Sequence, residues 1–142
     1  MKLALIVALV GLSSAAFAQA PQRSVLAGSS WTLREVGDAP ATAGRNGENP
    51  HITFNAGTVS VFYGCNLGNG PYTADSQGSL MMPHLYATRM RCRDQIMQIE
   101  RAFGRALGDT TRFAITGAQL ELFDGRDRLV ATLDQYGNDK PK

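Results

Sequence analysis

The chain is poor in the residues that usually carry chemistry. Among its 142 residues there are only two cysteines, Cys65 and Cys92, two histidines, His51 and His84, and one tryptophan. Neither histidine stands at a usual short ligand spacing from a cysteine, so no familiar zinc pattern is present. A C-x-x-C pair is missing, and with it the common signature of thiol redox work. G-x-S-x-G and H-E-x-x-H are absent too, and the glycine-rich stretch 64–70 lacks the Lys-Ser/Thr of a phosphate loop. His84, before an extended segment, is the only candidate base near a cysteine, and such a Cys-His pair would need a free thiol. Paired carboxylates stay open, because the 12 acidic residues are scattered and separation along a chain does not fix distance in a fold. The expectation is a protein that is not an enzyme and uses no cofactor or metal.

Charge of one sign is also lacking. The formal net charge is +2, which implies no polyanionic partner and no nucleic acid. Long hydrophobic runs are absent as well. The longest, at 3–12, falls short of the about 20 residues that a membrane-spanning helix needs, so an integral membrane protein is not expected.

What that short run does resemble is export. Lys2 precedes it, and small residues ending in Ala16-Phe17-Ala18 follow it, which is the order of a cleaved secretory signal over 1–18. No cysteine follows the expected cut, so no lipid anchor is expected there. Removal of the signal leaves 124 residues, enough for one domain with a real core. The expected location is periplasmic or secreted, and in such an oxidising compartment Cys65 and Cys92 read most simply as one disulfide. A bridge of that span stabilises by about 3–4 kcal/mol in the chain-entropy model. A metal pair and a reactive thiol system are the alternatives.

Short alternating apolar runs separated by Gly, Asn and Asp turns then predict antiparallel strands. They fall at 30–36, with Trp31 and Leu33 on one face; at 52–54; at 59–63; at 72–74; and at 80–82. Three more follow at 113–115, 120–122 and 129–133. Between them, 37–50 reads as a long irregular loop and 64–70 as the most turn-like segment of the chain. Residues 84–92 read as extended or looping, with Thr88, Met90 and Cys92 to one side and Arg89, Arg91 and Arg93 to the other.

One helix is expected over 94–107, where Ile96, Ile99, Phe103 and Leu107 recur at three- and four-residue steps. Asp94 is its expected N-cap and Gly108 its left-handed C-terminal residue. Arg101 and Arg105, one turn apart near its end, suit the helix dipole. The architecture expected is mainly β (α+β): an antiparallel incomplete β-barrel of about eight short strands with one helix packed across it. Residues 19–29 read as a flexible N-terminal segment, 30–135 as the domain, and 136–142 as a polar tail.

Taken together these landmarks resemble the META domain (HslJ-like) family. The residues that carry the resemblance are Trp31-Thr32-Leu33 with Gly37 and Pro40; Ile52-Thr53-Phe54; and Gly64-Cys65-Asn66 with Gly70 and Tyr72. They continue with Thr88-Arg89-Met90-Arg91-Cys92; Ile99-Glu100-Arg101-Ala102-Phe103 before Leu107; and Leu120-Glu121-Leu122 running into Leu129. The resemblance implies a cracked β-barrel with a helix against it, similar in shape to secretion pilotins that bind acyl chains. It also implies a link to envelope stress and antibiotic tolerance, and no reaction. Many relatives are lipoproteins, whereas this chain lacks the lipid-accepting cysteine, and Arg91 stands where many relatives carry a small residue.

The residues expected to meet a ligand or partner are Tyr63, Tyr72 and Met82 at the barrel mouth, with Arg89, Arg91 and Arg93 beside them. Met81, Met82, Met90 and Met97 around Tyr86 form either a pliable apolar pocket or plain core filling under the helix. The arginines at 89, 91, 93, 101 and 105 either steer an acidic headgroup or simply dress a solvated face. The function expected is recognition of an apolar or anionic envelope component by a monomer. The alternative is a protein–protein module, an inhibitor or chaperone, acting through 37–50.

Overall fold

The computed structural model describes residues 25–136, and the signal expected over 1–18 lies outside the described residues. Among the described residues eleven strands and one α-helix form. They are β1 (Ser30–Val36), β2 (Ala39–Pro40), β3 (His51–Phe54), β4 (Thr58–Phe62), β5 (Leu67–Pro71), β6 (Thr73–Ala74), β7 (Leu80–Met81), β8 (Tyr86–Ala87), α1 (Asp94–Asp109), β9 (Thr110–Thr116), β10 (Gln119–Asp124) and β11 (Leu129–Gln135). A 3-10 turn, Arg45–Gly47, interrupts the loop after β2.

Nine strands make one antiparallel sheet in the order β8-β5-β4-β3-β1-β11-β10-β9, with β2 beside β1. The sheet does not close. The hairpin β6-β7 stands across the gap next to β9, where Ser79 bridges Arg112 and the Phe113 amide donates to the Gly78 carbonyl at 2.8 Å. This is the expected incomplete barrel. Apolar residues of alternate positions point inward from each strand, so Leu33, Ile52, Phe54, Val59, Leu120, Leu122 and Leu133 form one core with Ile99, Phe103 and Leu107 of α1. In β1 the alternation breaks at a bulge between Leu33 and Glu35 opposite β11. The bulge leaves Arg34 and Glu35 both exposed and returns Val36 to the core.

Three strands, β2, β5 and β8, exceed the eight expected. The instructive one is β5, because 64–70 was expected to be a turn. Gly64 does take positive φ, at +121°, but Gly68 and Gly70 are strand residues facing inward. Their missing side chains make room rather than bend the chain. A Cβ on Gly68 would lie 2.6 Å from the Tyr63 ring, and one on Gly70 would overlap the His84 carbonyl oxygen. Glycine therefore permits the close approach of Tyr63 and of the 84–87 segment.

The helix differs from expectation at both ends. Arg93 is the N-cap, without a side-chain cap bond, and Asp94 is the first helical residue, where its charge suits the dipole. Gly108 lies inside the helix, which runs on through Asp109 and stops at Thr110. The Thr110 hydroxyl donates to the Ala106 carbonyl at 2.6 Å, which holds this end in place of a left-handed glycine. Its last turn carries no basic residue, so Arg105 stops short of the dipole contact expected of it.

The flexible segment expected over 19–29 gives way to structure from Val25 onward. Leu26 is fully buried, the Gly28 amide donates to the Phe54 carbonyl at 2.7 Å, and the Trp31 indole N–H donates to Ser29 Oγ at 2.7 Å. At the other end Tyr136 is tied in by its amide, which donates to the Ser30 carbonyl at 2.9 Å, and by a ring contact with His51. Burial of Leu26 and these main-chain bonds offset the entropy of ordering both segments.

Candidate functional site

Cys65 and Cys92 form the expected disulfide, and among the described residues no cysteine is free. Around it the Gly-Cys-Asn and Thr-x-Met-x-Cys motifs fold onto the helix. Asn66 is buried, and its side chain plays the part of a neighbouring strand: Oδ1 accepts the Met90 amide at 2.6 Å and the Thr88 hydroxyl at 2.9 Å, while Nδ2 donates to the Met90 carbonyl at 3.0 Å. Glu100, one turn after Ile96 on α1, accepts the Cys65 and Asn66 amides at 3.1 and 2.7 Å and Asn66 Nδ2 at 2.6 Å. Buried N–H groups that the sheet leaves unpaired are thus satisfied by a carboxylate. Neither Asn66 nor Glu100 was expected to do this work. The available signal was an acid at 100 on the apolar stripe of 96, 103 and 107.

The 37–50 loop is bound to the same place. Gly44 lies flat against Gly64, where a Cβ would overlap the Gly64 carbonyl. The Arg45 amide donates to that carbonyl at 2.7 Å, and its Nε donates to the Cys65 carbonyl at 2.8 Å. The Arg45 guanidinium stands 5.6 Å from the centroid of Phe62, a ring buried on the outer side of the sheet beneath His51.

Between α1 and the 82–87 segment opens a cleft of about 410 Å³. Its walls are Tyr63, Met82, Pro83, Leu85, Ala87 and Gly104, with Glu100 and Arg101 as its charged members and Gly108 at one end. Tyr63 forms the floor, 6% exposed, edge-on to Phe103 at 6.0 Å. Burial, and secondarily the Glu100 carboxylate, push its hydroxyl up to about 12, so it stays a neutral donor.

Of the six residues expected at the ligand surface, the structure brings Tyr63 and Met82 together here. Tyr72 lies elsewhere, buried edge-on against Phe54 at 5.1 Å with its hydroxyl donating to the Asn55 carbonyl at 2.8 Å. Arg89, Arg91 and Arg93 are exposed and do not line the cleft; Arg91 lies 3.7 Å from Asp94. The cleft's guanidinium is that of Arg101. Of the four methionines, Met82 is buried, Met97 is half-buried with Sδ accepting the Cys92 amide at 3.5 Å, and Met81 and Met90 are exposed.

A second, more polar cleft of about 580 Å³ lies between two hairpin turns. Asp75 and Asp124 each use Oδ1 to accept two turn amides, of Gln77 and Ser79 and of Arg126 and Arg128 respectively. Arg128 clamps Asp124 Oδ2 through Nε and Nη2 at 2.8 and 2.7 Å, and these bonds hold the carboxyl down at about 2. Arg112 donates to Asp127 Oδ1 through Nε and Nη2, both at 2.8 Å, while covering the Phe123 ring at 4.1 Å. These carboxylates hold turns, and no group of three or more His, Cys, Asp or Glu that could hold a metal occurs among the described residues. No described helix is long and apolar enough to cross a membrane.

Comparison with solved structures finds the same fold at low identity. A protein from Burkholderia xenovorans, solved by NMR, is 24% identical with a TM-score of 0.63, over 91% of this chain and 100% of its own. A second NMR structure is 24% identical with a TM-score of 0.61, over 77% of this chain and 90% of its own. A DUF4847-family protein from Bacteroides vulgatus is 16% identical with a TM-score of 0.53, over 78% and 94% respectively. No curated protein matches. The family model for the META domain matches residues 24–136, nearly the span of the fold from Val25 to Tyr136, and the chain belongs to the META domain family.

Proposed function

We propose that the protein is an exported, non-enzymatic binding domain that holds one amphiphile of the bacterial envelope, its apolar part in the cleft over Tyr63 and its anionic end at Arg101. The observation that carries this reading is the cleft itself. Its volume of about 410 Å³ lies within the range of small-molecule sites, and Met82, Leu85 and Ala87 offer an apolar wall beside a single guanidinium. Methionine suits chains of variable length because its thioether repacks at little cost. The disulfide fits an oxidising compartment, and the signal-like residues 1–18 fit delivery to a periplasmic or extracellular site. In that setting the domain serves envelope maintenance under stress by binding rather than by turnover.

Native mass spectrometry of the protein purified from its own envelope tests this. The expected spectrum shows a lipid-sized adduct that is lost in Gly104→Leu, whose side chain grows into the cleft beside Tyr63; a Cβ at Gly104 lies 3.9 Å from that ring. A clean unliganded mass for the unaltered protein would overturn the reading.

A further inference from the structure

We infer that the rim of the cleft is a docking face for a phospholipid bilayer carrying anionic headgroups. The inference rests in part on the cleft reading, which it supplies with a source of ligand, and has its own evidence in charge and exposure.

The chain's positive charge is concentrated in one stretch. Residues 84–105 hold five arginines, at 89, 91, 93, 101 and 105, against two acids, Asp94 and Glu100. The whole chain is only +2, so the remainder is close to neutral. Glu100 is committed to the amides of Cys65 and Asn66, and Asp94 pairs with Arg91. Among the described residues Arg89, Arg93, Arg101 and Arg105 have no carboxylate at ion-pair distance. All four are exposed. Phosphate headgroups complement such unpaired guanidinium groups.

Two large exposed apolar side chains, Tyr86 and Met90, belong to the same 84–105 stretch, and a third, Leu67, is paired to it. Of the four arginines Arg101 lines the cleft, while Arg105 lines a neighbouring hollow beside Val36 and Leu129. Tyr86 is 74% exposed, Leu67 52% and Met90 47%. The pairing of β5 with β8 sets Tyr86 opposite Asn69, two positions from Leu67 on the outward side of β5, and the Thr88 amide donates to the Leu67 carbonyl at 2.9 Å. Leu85 and Ala87, on either side of Tyr86, line the cleft. An exposed aromatic at the lip of an apolar cleft, beside aliphatic side chains and unpaired arginines, has the composition that settles at a membrane interface. Polar solvent alone gives no reason to expose Tyr86 and Leu67 together at this edge.

Vesicle flotation of the full chain as recovered from its host tests the face, using phosphatidylcholine vesicles with and without phosphatidylglycerol. The protein should float with the phosphatidylglycerol vesicles only, and less as salt is raised. Arg89→Glu with Arg93→Glu should weaken that binding by roughly tenfold or more, and Tyr86→Asp should weaken it at low salt too. All three positions are exposed, and an unchanged circular dichroism spectrum confirms that each variant folds. Binding to neither vesicle, equal binding to both, or binding that ignores these substitutions would overturn the proposal. Gly104→Leu separates the two readings. If it floats normally and carries no adduct, both stand; if the unaltered protein floats and carries none, the cleft reading fails and docking stands.

Discussion

The Glu100 carboxylate accepts the Asn66 backbone amide at 2.7 Å and the Asn66 side-chain amide at 2.6 Å, so one residue of the helix holds the Gly-Cys-Asn corner of the sheet from both sides. Most of the segment that resembles its family by motif is thereby accounted for as structure. In the function proposed above, recognition is left to the neighbouring cleft and its rim.

Replacing Glu100 by Ala removes the acceptor for three N–H donors, those of Cys65, Asn66 and the Asn66 side chain. The donors stay at a largely buried corner, and hydrogen bonds to a charged group are worth more than neutral ones. The expected loss is about 2–4 kcal/mol in urea unfolding. Asn66→Ala should cost a similar amount, and the double variant less than the sum, because the two residues share one network.

Cys65→Ala with Cys92→Ala opens a loop of sequence separation 27. In the chain-entropy model this lowers stability by about 3–4 kcal/mol. The Asn66 bonds to Thr88 and Met90 survive, so the variant should keep its circular dichroism spectrum while its urea midpoint falls.

Two glycines should respond with opposite sign. Gly70→Ala drives a Cβ into the His84 carbonyl and should destabilise by about 1–3 kcal/mol, displacing the 84–87 wall of the cleft. Gly108→Ala, in the helix with nothing within 4 Å, should stabilise by about 0.5–1 kcal/mol. Thermal unfolding of the pair reads both.

Acid should weaken the β10-β11 turn through Asp124. Its carboxyl is held at about 2 against an ordinary 3.8, chiefly by the Arg128 side chain. A depressed folded value means that its contribution is full above about 3.8 and is lost as pH falls toward about 2. Urea midpoints measured across that window should fall more steeply for the unaltered protein than for Asp124→Asn. In Arg128→Ala the carboxyl should titrate closer to 3.8 by NMR.

The strands that carry alternating Leu, Ile, Val and Phe were legible because burial on one side of a sheet imposes a two-residue period, and the helix because 96, 99, 103 and 107 share a face. The glycine strand was not, since Gly68 and Gly70 record how closely Tyr63 and the His84 carbonyl pack against them in the folded sheet, and composition shows only turn-formers. The end of α1 was misplaced for a related reason: Gly108 carries no positive φ here and marks open space beside the cleft. Of the six residues expected at the ligand surface, Tyr63 and Met82 lie in the cleft. Tyr72 faces Phe54 instead, and Arg101, read as a helix-end cation, is the guanidinium at the cleft. Which end of an incomplete barrel a residue joins depends on closure, and closure leaves no local trace.

Gly44 against Gly64 gives the 37–50 region a property its length conceals. Pinned at mid-span, it is two short spans rather than one long arm, and the ordering cost of each is set separately. Extra residues grafted between 41 and 43, or between 46 and 49, would lengthen one span and leave its twin alone. Widening residue 44 itself would instead lever both spans off the Gly64–Cys65 backbone at once.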